Sequence, residues 1–495
     1  MLILATWITF TTCLPGQFSG LAPIQGEEKP NESRQNHPSA YLAPIQGEEK
    51  PAKPAWVREV TIQRAKIPYR SLAHPLLPST AELVSGNAAL CYYRAFSPET
   101  FSHSRNDKDW WKKEEAWNKA KLTELPQKEM EFLLRYWPLE QMELGARRTY
   151  CDWEMTDRLK KDGFSALLPD VQSMRELARL LSHRIRLKLA RKDFEGALRD
   201  IQTLMAMGRH VADGPTMIQH LVGIALCSIA LERLEEGIQL PDFPSVHWDL
   251  SVLAVPFLTL ETALGGERIG ADSLLGVQDL ERVMSKEEAT EKMAKFQKQL
   301  GMLSGNDTNY QAAVMALSLI SYTQSKEWLV NQGTPRDTVE KMPVAQVVMA
   351  RMAGEFNRER DEMFKYANLP LWQAAPLLAE QEQNLRPGSG QSVSKILARL
   401  LLPALQKVFE ARVRLDRKIA VLRQVEAIRL YATQNGRLPE KLEDIKAPQA
   451  LDPWHGKPFE YVLTGPKEAT LTGKPLAKGT IGIHSTILYE IRWKD

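Results

Sequence analysis

From Asn106 to about Gln383, apolar residues recur at three- and four-residue spacing. That period places them on one face of an α-helix. Pro126 opens one such segment, which runs to Trp137. Pro169 opens another, with Leu177, Leu181 and Ile185 on a single stripe. Proline suits a helix's first turn, where its missing N–H costs nothing. A polar turn at Arg191, Lys192 and Asp193 leads into a helix over residues 194–211. Gly214-Pro215 breaks the pattern before a further helix ending at Ile238. Residues 244–264, 286–303, 308–330 and 343–366 continue it. Short linkers carrying Pro or Gly favour antiparallel neighbours. The expected architecture is therefore mainly α, a multi-helix antiparallel hairpin array.

Residues 385–392 are dense in Gly, Pro and Ser and read as a linker to a different kind of unit. A long helix is expected from about Pro403 to Asn435, with Leu415, Ile419, Leu422, Val425 and Ile428 on its apolar face. Arg412, Arg414, Arg417, Lys418, Arg423 and Arg429 make it basic, and Glu410, Asp416 and Glu426 are interspersed, so these charges read as a solvated face. Gly436 supplies a left-handed cap after Asn435. A short helical turn at residues 440–446 and a turn-rich stretch at 451–458 follow. Phe459, Tyr461 and Leu463 alternate with polar or smaller residues, as do Ile487, Tyr489, Ile491 and Trp493. Such alternation predicts strands, with 469–472 folding back across Gly465-Pro466. The C-terminal part thus reads as an α+β module, a long helix on a small antiparallel sheet.

The N-terminus has a different character. Residues 2–10 form an apolar stretch of the length of a signal-peptide core, although no Lys or Arg precedes it. The decapeptide LAPIQGEEKP occurs at residues 21–30 and again at 42–51. This Pro- and Glu-rich segment lacks a core-forming pattern. The expected organisation is a signal peptide or N-terminal anchor at 1–20, a disordered spacer at 21–56, a helical body at 57–384, the linker at 385–392 and the module at 393–495. After the N-terminal stretch, no segment reads as approaching the roughly 18 apolar residues of a membrane span.

Of 495 residues, 43% are hydrophobic and 25% charged, ordinary globular values that allow a sizeable core. A net charge of +3 implies no global polyanion-binding surface, so no nucleic-acid partner is expected. Cys13, Cys91, Cys151 and Cys227 form no CxxC pair. Cys91, Cys151 and Cys227 read as three thiols or, in an oxidising compartment, as including one Cys91–Cys151 disulfide.

Candidate chemistry is sparse. His210 and His220 flank the Gly214-Pro215 break, but HExxH and Glu-x-x-His spacings are absent, so no metal is expected. Ser392 and Lys395 match SxxK without a Lys-Thr-Gly companion. Gly265, Gly266 and Gly270 lack the dinucleotide-binding order, and no cofactor is expected. Trp110 and Trp117 share a helical face, and Trp111 stands among charges. Glu232, Glu235 and Glu236 read as a solvated helix end. The catalytic residues remain unknown at this level.

Two resemblances accompany these patterns. Residues 189–204, LARKDFEGALRDIQTL, resemble a single tetratricopeptide helix–turn–helix unit, which implies hairpin packing. IRLYATQNGRLPEKLEDI, starting at Ile428, and LDPWHGKPFEYVLTG, starting at Leu451, resemble the globular part of the type II secretion major pseudopilin. His455 is inserted relative to that family, and its N-terminal apolar assembly helix has no counterpart before this module. The resemblance implies a helix-on-sheet module and an extracytoplasmic setting, without polymerisation. The whole chain is similar to large exported helical proteins of bacteria. The resulting expectation is a non-enzymatic exported scaffold or interaction protein of the periplasm or cell surface, with a protein partner and membrane contact only through the N-terminus. A hydrolase-type enzyme with a site dispersed in sequence, and an accessory part of a secretion or pilus-like system, are the alternatives.

Overall fold

The computed structural model describes residues 56–97, 109–162, 170–275, 280, 282–303, 320–384, 393–474 and 486–494. The expected signal or anchor, both decapeptide copies, the 385–392 linker and residues 308–319 of the expected 308–330 helix lie outside them. The chain enters as strand β1 (Trp56–Ile62). Strand β2 (Val84–Asn87) runs into α1 (Ala88–Ala95), where the Asn87 side chain accepts from the Ala89 N–H as an N-cap. Helices α2 (Trp110–Lys119) and α3 (Trp137–Ala146), strand β3 (Arg148–Tyr150) and helix α4 (Met155–Asp162) follow. The central hairpins are α5 (Asp170–Ala190), α6 (Phe194–Ala212) and α7 (Met217–Ile238). After them come α8 (His247–Ser251), α9 (Glu261–Leu275), α10 (Lys286–Leu303), α11 (Tyr322–Asn331), α12 (Arg336–Lys341), α13 (Val344–Phe364) and α14 (Leu371–Asn384). The long α15 (Val393–Asn435) precedes β4 (Leu451–Asp452), β5 (Lys457–Pro458), β6 (Glu460–Gly465), β7 (Glu468–Gly473) and β8 (Ile487–Trp493).

The mainly α class with a C-terminal helix and sheet is thus observed. The turn between α5 and α6 places Lys192 at positive φ, and Asp193 caps α6 by accepting from Gly196 N–H. Thr216 caps α7 the same way, which is why the Gly214-Pro215 break restarts a helix so quickly. Helices α6 and α7 make the most intimate pairing, and α15 lies across α7 and α13.

Several expected helices have other limits. Residues 126–137 are not one helix. A short 3₁₀ turn spans Glu131–Arg135, and the α-helix starts only at Trp137, where Pro138 occupies the first turn. Residues 244–264 split into α8 and α9 around Pro256, which lacks an N–H to continue a helix. The long helix begins at Val393, ahead of Pro403. Helix α7 is long and apolar enough to cross a membrane, contrary to the sequence reading, but 67% of its apolar window is buried in the protein. Its hydrophobicity on all sides follows from its place between α6 and α15.

The sheet order is β1-β8-β7-β6. β6/β7 and β7/β8 are antiparallel, as the alternation implied, and Leu463 pairs with Ala469 across the expected turn. β1 adds in parallel, with Trp56 opposite Ile487 and Ile62 opposite Trp493. The division into a body at 57–384 and a module at 393–495 is therefore not how the chain packs. β1 belongs to the C-terminal sheet, Trp56 lies in a strand rather than in the spacer, and one hydrophobic cluster runs from Val60 through α5–α7 and α15 to Trp493. The smaller cluster of Leu329, Val339, Met342 and Val347 sits among α11–α13.

Candidate interaction surface

Most of the charges of α15 do not face solvent as expected, although Arg414 does. Arg412, Asp416, Arg417, Lys418, Glu426 and Arg429 are buried beside the aliphatic stripe. Their partners include backbone groups of irregular segments, which must find hydrogen bonds once water is excluded. Arg429 donates Nε to the Gln63 carbonyl (2.9 Å) and Nη2 to the Phe243 carbonyl (2.8 Å), and it pairs with Glu426 at 3.0 Å. Glu426 Oε2 accepts from Ser245 Oγ (3.0 Å) and Val246 N (2.9 Å). Asp416 accepts from Phe257 N at 2.8 Å. Burial nevertheless pushes the Asp416 carboxyl up to about 6. Arg417 clamps Asp452 at 2.8 Å and stacks on Trp454, which is fully buried.

These clamps fix two segments side by side against α15. Lys66 N–H donates to Phe243 O, Ser245 N–H donates to Lys66 O, and His74 N–H donates to the Asp249 carboxylate at 3.1 Å. Thr433 Oγ1 accepts from Ala65 N, and His247 Nδ1 lies 3.2 Å from the Arg423 carbonyl. These bonds hold the inner side of this edge, although His247 Nε2 is buried without a hydrogen-bond partner. Its outer side is apolar. Trp248 is 44% exposed, Val252 60% and Val255 75%, and Tyr69 is fully exposed between Ile67 and Leu72, which are also exposed. Trp248 and Val252 stand four residues apart, so they share one side of the α8 turn. Lys66 and Arg70 are exposed on the same loop. Residues 63–76 contain no Asp or Glu, and the one acidic residue within 243–260, Asp249, is buried. Sequence reading missed this face; its signal was a basic-aromatic loop free of acids, together with the Trp248/Val252 spacing.

A second cluster joins the chain's first and last strands. Lys418 forms an ion pair with Glu235 and donates to the Tyr489 hydroxyl at 2.9 Å. Its ammonium lies 4.9 Å from the Trp56 ring centre and 5.6 Å from that of Tyr489. Tyr489 and Arg58 also reach Glu235. Burial, with the nearby Arg58 charge, pushes the Lys418 amine below the ordinary lysine range. The expectation of a solvated carboxylate group at the end of α7 fails here. Glu235 is buried, and Glu236 pairs with Arg186 and Arg233. Enclosed by two rings and a carboxylate, Lys418 holds β1 and β8 onto α7 and α15.

The remaining candidates take structural places. His210 Nδ1 hydrogen-bonds the Tyr92 hydroxyl at 2.8 Å, and His220 Nδ1 lies 3.3 Å from the Ala212 carbonyl. Burial pushes both imidazoles down to about 4, and no metal-holding group occurs among the described residues. Trp110 and Trp117 meet edge to face at 5.6 Å with Trp117 buried, while Trp111 points outward. A Cβ at Gly266 would overlap the Pro215 carbonyl, so this glycine permits α9 to approach the α7 start. Cys91, Cys151 and Cys227 are free thiols, with Cys91 and Cys227 buried. Ser392 lies outside the described residues. A depression lined by Lys286, Glu287, Thr290, Glu291 and Ala294 belongs to one face of α10, and among the described residues no second element lines it.

Comparison of the chain with protein-family models, with curated protein sequences and with solved structures finds no match.

Proposed function

We propose that this chain is an exported scaffold or interaction protein of the periplasm or cell surface, acting through the face that carries Tyr69 and Trp248. The supporting observation is that face: aromatic and aliphatic side chains exposed on two loops whose inner sides are fixed by buried charges. Soluble proteins seldom leave a contiguous apolar patch uncovered unless it meets something. Rigid presentation also lowers the ordering cost of docking. The signal-like residues 2–10 and the pseudopilin-like stretches at 428–445 and 451–465 support the extracytoplasmic setting. Cell fractionation with size-exclusion of the native protein tests the reading. The expected result is an extracytoplasmic protein held in a larger assembly, from which the combined Trp248→Ser, Val252→Ser and Val255→Ser variant is released with unchanged thermal melting. Retention of that variant in the assembly, or an intact Met1 in a cytoplasmic fraction, overturns it.

A further inference from the structure

We propose that the Tyr69–Trp248 face docks on an anionic lipid surface. The inference rests on the interaction reading above and names its partner. Three observations carry it. First, the side chains protrude. Tyr69 is fully exposed and Val255 three-quarters exposed, the disposition of tips that enter a headgroup layer. Protein hot spots instead fill packed, desolvated pockets. Second, the charge is mainly positive: exposed Arg64, Lys66 and Arg70 outnumber the exposed Asp242, whose N–H donates to the Arg64 carbonyl. Lys66 and Arg70 are exposed beside the aromatic tip, and neither segment offers an exposed acid between residues 63 and 76 or 243 and 260. Trp and Tyr favour the membrane interface, and each cation there gains from acidic headgroups. Third, the position along the chain fits. The loop follows β1 directly, and β1 follows the N-terminal segment that carries the apolar residues 2–10. Stable membrane attachment takes two weak signals, and this face would add one to the apolar residues 2–10.

The buried clamps bear on how such docking would work. With Glu426, Arg429 and Asp249 holding the backbone, no loop ordering is needed on contact. Apolar tips and cations would be presented in a fixed relation, the cations to headgroup phosphates and the tips to the acyl boundary.

The test is flotation of the purified full chain with phosphatidylcholine vesicles and with vesicles containing phosphatidylglycerol, at low and high salt. Ile8→Lys in the full chain separates the contribution of residues 2–10. Binding to the anionic vesicles is expected to be salt-sensitive and to persist in Ile8→Lys. It should fall roughly tenfold or more in Lys66→Glu/Arg70→Glu and comparably in Tyr69→Ser/Trp248→Ser, with melting unchanged in both. Face variants that float like the parent, equal binding to neutral vesicles, or loss of all flotation in Ile8→Lys would overturn the proposal. Absence of flotation by the parent, combined with release of the Trp248/Val252/Val255 variant from its native assembly, would assign the face to a protein. That outcome removes the lipid and leaves the interaction reading standing.

Discussion

Gly223 on α7 lies against the backbone of Gly208 on α6, so closely that a Cβ on Gly223 would overlap the Gly208 carbonyl oxygen and the Ala212 backbone nitrogen. The two longest-packed helices of the core therefore meet main chain to main chain. Gly223→Ala meets only main chain and the Ala212 Cβ, none of which can swing aside, and is expected to cost about 1–3 kcal/mol or more in chemical denaturation. Gly265→Ala, at a helical position with open space around it, is the control. It should be neutral or stabilising by up to about 1 kcal/mol.

Removing Lys418 leaves the buried Glu235 with only the longer contacts to Arg58 (4.0 Å) and the Tyr489 hydroxyl (3.4 Å). Lys418→Met is expected to destabilise by about 3 kcal/mol, because a buried charge loses its nearest partner. The double variant Lys418→Met/Glu235→Leu should recover most of that loss, since the carboxylate leaves with its partner. Urea titration of the four-member cycle gives the coupling. A double variant as unstable as the single one would show that packing, not charge, dominates the site.

Glu426→Ala removes the acceptor for Ser245 and Val246 and leaves Arg429 without its carboxylate. Faster amide hydrogen exchange is expected across residues 243–250 and 63–66, with β6 and β7 unchanged. Uniform exchange throughout the chain would mean that the loops are held by other contacts.

His220 gives an acid-side signature. Burial pushes its imidazole down to about 4, whereas an unfolded chain titrates it near 6.5. Between these values the unfolded state holds more protons, so stability falls as pH drops from 6.5 toward 4 and is level above 6.5. Against His220→Leu, the parent should lose up to about 3 kcal/mol over that window. Parallel stability profiles for the two would mean that His220 is protonated in the folded protein.

What the sequence revealed was local. The Leu415, Ile419, Leu422, Val425 and Ile428 stripe enters the core, Gly436 takes positive φ with its N–H on the Ala432 carbonyl, and β6 pairs with β7 across the expected turn. Each is encoded within a few residues by spacing or by glycine's freedom. The charged side of α15 was misread because solvent and a distant backbone carbonyl satisfy an arginine equally well on paper. Nothing in the identity of Arg429 says that Gln63 and Phe243 need its donors. β1 was missed because its partner is the other end of the chain, and parallel pairing leaves no hairpin turn to signal it. The exposed face escaped for a related reason, since an apolar residue looks the same in sequence whether it faces inward or outward.

The pairing of β1 with β8 also bears on the order of assembly. A growing chain offers Trp56–Ile62 long before the strand that receives it, Ile487–Trp493, has been made. Until then β1 is unpaired on both edges, whereas in the finished sheet it stands at the rim with one edge covered by β8, and the second ring around Lys418, that of Tyr489, is missing. A product cut short before Ile487 therefore leaves both edges of Trp56–Ile62 unpaired and the Lys418 amine unsealed at the same spot, so pairing with β8 closes the strand and the buried charge together.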